Sequence, residues 1–201
     1  MKYRLTHFRR PVFVAAVLAS GVLVAGCGAV TGSSASSHSS AQASFNDADV
    51  TFATDMIGHH RQAVEMADME LARGASPQVK ALATRIKSEQ SPEINQLSGF
   101  LSTFKKPVPA AEGSMGGMDH GGAHSTGMMS SAEMSKLGAM SGAALDKAFL
   151  TDMIEHHTGA VTMSQAELSG GKYQPAKELA HSIVAAQTGE IAEMKQLLAG
   201  M

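Results

Sequence analysis

Two closely matching clusters of metal-donor side chains stand 97 positions apart in this 201-residue chain. The first is Asp55-Met56-Ile57-Gly58-His59-His60 and the second is Asp152-Met153-Ile154-Glu155-His156-His157. In each, one Met precedes two adjacent His by three and four residues. On a helix that spacing places one thioether and two imidazoles on a shared face. The combination suits copper: thioether sulfur is a soft ligand that selects Cu(I), and imidazole accepts either copper oxidation state. A thiolate would serve the same purpose, but the chain has a single cysteine, Cys27, and in an oxidising compartment Met is the more durable soft donor. Di-iron bundles instead use Glu and Glu-x-x-His ligands. Neither cluster has that pattern, since Asp55 and Asp152 lie four residues before His59 and His156.

The clusters belong to a longer internal repeat. At the same offset Asp49 pairs with Asp146, Phe52 with Phe149, Ala63 with Ala160, Val64 with Val161, Met66 with Met163 and Glu70 with Glu167. The match continues through Leu82 and Leu179, Ile86 and Ile183, Gln90 and Gln187, Glu93 and Glu190, and Ile94 and Ile191. At about 100° per residue, Asp49, Phe52, His59, His60, Ala63 and Glu70 fall within about 60° of Met56, and the third long helix repeats the pattern around Met153. Asp55 falls off that axis. On the second and fourth long helices the inward face carries Ile86, Gln90 and Glu93, or Ile183, Gln187 and Glu190. A bundle selected for stability alone would not bury so many polar groups, because each costs free energy unless paired. Glu93 or Gln90 is placed to orient a His through its second ring nitrogen. The candidate metal residues of the bundle are therefore Met56, His59, His60, Met66, Glu93, Met153, His156, His157, Met163 and Glu190. A purely structural alternative stands beside them, in which Met fills core gaps and each His makes a buried hydrogen bond. His181 falls off the inward axis of its helix and reads as a surface or flank residue.

The elements that must hold these residues are helices. Aromatic residues make up 4% of the chain and Trp is absent, thin provision for a β-sandwich. Periodic segments run over 46–73, 77–104, 143–169 and 175–199, with a shorter one over 130–140. Gly74-Ala75-Ser76-Pro77 reads as a helix stop, N-cap and first-turn Pro, and Gly170-Gly171 as another stop. Pro92 lies inside the second segment and predicts a kink or restart. Residues 110–130 are rich in Gly, Ser, Met and His without periodicity and read as a mobile loop whose deletion over 113–129 leaves the bundle folded. Met115, Met118, Asp119, His120, His124, Met128 and Met129 make it a second, looser candidate copper cluster. Two helix pairs that cannot each bury an apolar face predict an all-α four-helix bundle with pseudo-twofold symmetry. The formal net charge of -2 gives no sign of affinity for nucleic acid.

The N-terminus reads as an address. Lys2, Arg4, Arg9 and Arg10 precede an apolar run over 12–24, too short to span a membrane comfortably. It ends in Val24-Ala25-Gly26-Cys27, which resembles a bacterial lipobox. The expected organisation is a lipoprotein signal over 1–26, a Ser, Ala and Gly-rich tether over 27–45, and a bundle over 46–201. Cys27 then carries lipid and holds the protein to a membrane on its extracytoplasmic side.

The motif Asp-x-x-Phe-x-x-x-Met-Ile-x-His-His-x-x-Ala-Val-x-Met, carried by Asp49, Phe52, Met56, Ile57, His59, His60, Ala63, Val64 and Met66, resembles the signature of the bacterial domain-of-unknown-function 305 family. The second copy and the Gln90-Glu93-Ile94 and Gln187-Glu190-Ile191 stretches match as well, so the resemblance covers about residues 46–200. It implies a ferritin-like four-helix bundle, usually exported, with some members linked to copper binding and tolerance. The Met and His-rich loop and Pro92 depart from the family pattern. Three functions stay open at this point: a lipid-anchored copper protein that buffers or hands over Cu(I) or Cu(II), a ferritin-like metal-dependent oxidoreductase, and a metal-free envelope interaction module. Cys27→Ser is expected to release the protein from membranes in an unlipidated form. Fractionation and intact mass check this, and unchanged values for both would refute the anchor.

Overall fold

Three of the five described helices start where a side chain takes a free N–H group of the first turn. Asn46 opens α1 (Asp47–Arg73) with a capping box, accepting from the Asp49 N–H while its own N–H donates to Asp49 Oδ2. Ser76 caps α2 (Pro77–Thr103), with Pro77 in the first turn as expected. Ser130 and Glu133 form a second capping box at α3 (Ser131–Gly138). The remaining helices are α4 (Gly142–Gly170) and α5 (Gln174–Ala199). This computed structural model describes residues 44–110 and 127–201. The expected signal segment, most of the tether, Cys27, Met115, Met118, Asp119, His120 and His124 lie outside the described residues. Among the described residues there is no strand, and no helix is long and apolar enough to cross a membrane.

The bundle is all-helical, as the periodicity predicts. The two repeats are the pairs α1–α2 and α4–α5, and α1 packs against α4 across the repeat boundary. Electrostatic pairing of Asp49 with Glu167 and of Glu70 with Asp146 shows that α1 and α4 run antiparallel. A pseudo-twofold axis passes between them and exchanges two separate apolar cores. One gathers Phe52, Met56, Ile57, Leu97, Leu101 and Ile183; the other gathers Phe149, Met153, Leu145, Met194, Leu82 and Ile86. Fully burying side chains of this size contributes about 1.5–3 kcal/mol each. The repeat positions fall on opposite cores: Met56 and Met153, Phe52 and Phe149, Leu97 and Met194.

Two expectations need correction. Pro92 neither interrupts nor restarts its helix, because α2 is continuous from Pro77 to Thr103. Pro92 is exposed, so the carbonyl it leaves without an N–H donor has water within reach. The segment 110–130 is not wholly a loose loop either. The Met129 N–H donates to Gln62 Oε1 at 2.7 Å, and Gln62 Nε2 donates to the Met129 carbonyl at 2.8 Å. Gly127 takes φ 72° and lies so close to α4 that a Cβ there would sit 2.3 Å from the Glu155 carbonyl oxygen. Deleting 113–129 would therefore remove packed structure. Gln62 is buried and both its amide bonds serve one residue, so Gln62→Ala is expected to destabilise the fold by about 1–3 kcal/mol. Urea unfolding checks this, and an unchanged midpoint would show that the segment from Gly127 to Ser130 contributes nothing to stability.

Candidate metal centre

Between the two apolar cores lies one buried polar layer. His59 and His60 come from α1, His156 and His157 from α4, and none of the four is more than 1% exposed. The helical spacing of each doublet splits the work. His59 and His156 turn toward the dyad, where their rings stack with centroids 3.6 Å apart and planes tilted by 38°. His60 and His157 turn toward the second helix of their own repeat. There the Nε2 of His60 lies 2.7 Å from Glu93 Oε2, and the Nε2 of His157 lies 2.7 Å from Glu190 Oε2. A carboxylate can only accept, so in each pair the Nε2 carries a proton, and in the neutral ring the lone pair is then on Nδ1. Those two Nδ1 atoms are buried with no hydrogen-bond partner.

His156 is the least compensated member. Neither of its ring nitrogens meets a partner of hydrogen-bonding geometry. Its pKa falls well below the ordinary histidine value, first because burial penalises the charged ring and then because His59, His157 and His60 crowd it; the His59 backbone opposes this weakly. The ring is therefore neutral and competent to coordinate at neutral pH. Gln90 and Gln187 are buried as well, and neither side-chain amide has a partner. Unpartnered polar groups at this density are uncommon in a folded protein and call for something that fills their bonding capacity.

Met56 and Met153 are both fully buried, one in each apolar core. The imidazoles and the two thioethers are buried as the helical wheel predicts, and Glu93 meets the Nε2 of a His. Gln90 does not orient a His. Met66 packs in the apolar core of Phe149 and Met153, and Met163 is half-buried at the edge of the other core. Met128 and Met129 lie far around α4 and α1, lining a surface cavity with Met140, Asp152 and Glu155. Asp55 and His181 are exposed, as their positions on the helical wheel require. Among the described residues no three His, Cys, Asp or Glu side chains converge as a ready-made cation site. The donors that fit a metal here are imidazole nitrogens, with the thioethers of Met56 and Met153 buried three residues before each doublet, a set suited to soft or borderline cations rather than oxygen-seeking ones.

The two halves differ in one respect that the repeat does not foreshadow. Arg85 of α2 bonds Glu193 and stands 3.8 Å from Glu190 Oε1. The corresponding position in the other half is Ser182, which is exposed and leaves Glu93 without such a neighbour. The Glu93 side chain keeps 19% of its surface exposed against 7% for Glu190. A repeat comparison that looked for mismatches as well as matches would have found this pair.

A family model described as domain of unknown function (DUF305) matches residues 49–198. Among solved structures, the chain is similar to a DUF305 fragment from Deinococcus radiodurans, with 29% identity, a TM-score of 0.69, and coverage of 78% of this chain and 98% of that one. It is similar to a DUF305 protein from Streptomyces coelicolor, with 35% identity, a TM-score of 0.67, and coverage of 76% and 93%. It is also similar to CopM, solved in Cu(I)-bound, Cu(II)-bound and silver-bound forms; the Cu(II) form gives 29% identity, a TM-score of 0.63, and coverage of 76% and 96%. No curated protein matches the chain significantly.

The low pKa of His156 has a definite sign. Unfolding restores the ordinary value of 6.5, so the contribution of this residue to stability is present above that pH and is lost as pH falls below it. In ring-nitrogen NMR of the metal-free protein, His156 is expected to stay neutral at pH 6. A midpoint near 6.5 for this residue would contradict its burial in the layer.

Proposed function

This chain belongs to the DUF305 family, and from that premise we propose that it binds copper at the imidazole layer and buffers it or hands it over outside the cytoplasm. The observation that carries the reading is the meeting of two Met-x-x-His-His motifs at the dyad. The meeting puts four imidazoles in one layer, two of them oriented by carboxylates, with a buried thioether on either side. Copper, as cargo, would be held by Nδ1 of His60 and His157 and by His156 and His59, with Met56 and Met153 as the soft donors above and below. Glu93 and Glu190 would fix the tautomers that leave Nδ1 free and would supply negative charge to offset that of a buried cation. Because His156 is already neutral, loading at that ring would not require a proton to leave.

Support comes from the donor chemistry and from CopM, a relative in fold and sequence solved with both copper oxidation states and with silver. Buffering or transfer is favoured over catalysis because the donors lack the Glu-x-x-His pattern of di-iron bundles. Placement at a membrane through lipid on Cys27 is part of the same proposal, as is a contribution from Met115, Met118, His120 and His124.

In a chain lacking residues 113–126, so that this segment cannot mask the layer, His59→Ala with His60→Ala is expected to weaken copper binding by at least about tenfold (~1.4 kcal/mol), and His156→Ala with His157→Ala likewise. Because burial holds His156 well below the ordinary histidine value, acid should weaken binding at that ring only well below pH 6.5. Competition titration with a chelator of known affinity measures both, with circular dichroism as the folding control. Folded double variants that bind copper as tightly as the parent would make the layer structural only.

A further inference from the structure

Four buried carboxyl groups take no part in the imidazole layer, and they form two symmetric pairs at the ends of the α1–α4 seam. Asp49 on α1 faces Glu167 on α4, and Asp146 on α4 faces Glu70 on α1. None of the four is more than 2% exposed. Within each pair the roles are unequal. Asp49 accepts the N–H groups of Asn46, Lys172 and Tyr173, and Asp146 accepts those of Ala75 and Ser76. Each Asp thereby holds the interhelix turn of the other repeat. No oxygen of Glu70 or Glu167 meets an N–H or O–H donor, yet each Glu lies within hydrogen-bonding reach of its Asp.

Room for each Glu is provided by a glycine in the turn. A Cβ on Gly74 would sit 1.9 Å from Glu70 Oε1, and one on Gly171 would sit 2.1 Å from Glu167 Oε1. The Glu carboxyl is thus tucked under the same turn whose N–H groups the Asp holds. Two carboxylates in contact and out of water do not both stay ionised. The N–H donors favour the anion on Asp, so the proton belongs on Glu, whose O–H donates to Asp.

We propose that Asp49–Glu167 and Asp146–Glu70 are two proton-binding sites, each holding one shared proton that fastens an interhelix turn of one repeat to the long helix of the other. The lysines facing them oppose the proton without outweighing the carboxylate. Lys80 of α2 faces Glu70, and Lys177 of α5 faces Glu167. Asp47 and Asp55 line the cavity beside Glu167 and add negative charge. Burial first and the Asp second push Glu70 up to about 7 and Glu167 up to about 8. Asp49 moves the other way: burial works against the anion, but its backbone N–H donors and Glu167 hold it below the usual range. A raised Glu contributes stability that is full below its unfolded value of 4.5 and is lost as pH rises through about 7 and about 8. The seam ends are therefore fastened in acid and released in mild alkali, opposite in sign to the contribution of His156.

The test is carboxyl-carbon NMR of the full metal-free chain across pH 4–9, with denaturant unfolding at pH 5, 7 and 9 in parallel. Two Glu carbons should titrate near pH 7 and pH 8 and disappear one at a time in Glu70→Gln and Glu167→Gln. Between pH 5 and 9 the unfolding equilibrium constant of the parent should rise by up to about a hundredfold through the Glu70 pair and several hundredfold through the Glu167 pair, and each Gln variant, neutral and still a donor, should flatten its share. If a variant fails to fold, the titration of the parent decides. Ordinary midpoints near 4.5 for every Glu would overturn the proposal. So would raised midpoints that vanish on adding millimolar Mg²⁺ or Ca²⁺ alone, since the pairs would then be cation sites.

Discussion

Everything in this bundle is arranged around the contact between His59 and His156 at the pseudo-twofold axis. Two buried imidazoles whose ring centroids stand 3.6 Å apart are a poor source of stability. Burial costs them hydration, and if either ring were charged the other would repel it. The fold accommodates them by keeping at least His156 neutral and by flanking the layer with an apolar core on each side. The outer pair, His60 and His157, is tied to the second helix of each repeat by Glu93 and Glu190. These two ties run from α1 to α2 and from α4 to α5, while the stacked pair joins α1 to α4. The polar layer is thus also the set of contacts that registers all four long helices against one another.

The departures from symmetry concern access to that layer. Arg85 stands over Glu190, and Ser182 at the equivalent place offers nothing to Glu93. Gln62 holds the segment before α3 against α1, whereas its counterpart Gly159 is buried without a side chain. The first difference leaves the Glu93 side of the layer more open to solvent. The second covers the outer face of the α1–α4 pair with α3 and its leading segment. A duplicated unit has in this way acquired one closed and one more open half while keeping the same imidazole layer.

Much of this was legible in the residues. The 3.6-residue periodicity located the long helices to within a residue or two, and the wheel around Met56 put His59 and His60 inside and Asp55 outside. The offset of 97 foretold that α4 and α5 repeat α1 and α2. What periodicity cannot express is which helix meets which, and in what direction. The stacking of His59 on His156 depends on the antiparallel pairing of α1 with α4, and no local signal encodes it. For the same reason the wheel places Asp49 inside but does not show that its carboxylate caps a turn 123 residues away. Pro92 does not restart α2 because a helix can carry a proline on an exposed face, where the orphaned carbonyl is open to water. Met129 carries no local signal of order because its anchor, Gln62, lies 67 residues away and bonds only its backbone.

The claim that the dyad imidazoles hold the metal has a direct test in nitrogen NMR of the histidine rings during titration with Ag(I), a diamagnetic stand-in for Cu(I). The account predicts that the first equivalent shifts Nδ1 of His60 and His157 and a ring nitrogen of His156, with Nε2 of His60 and His157 still protonated against Glu93 and Glu190. If the first equivalents move only the ring nitrogens of His120, His124 and His181 and leave the layer unchanged, the metal is held elsewhere and the buried imidazoles serve the fold alone.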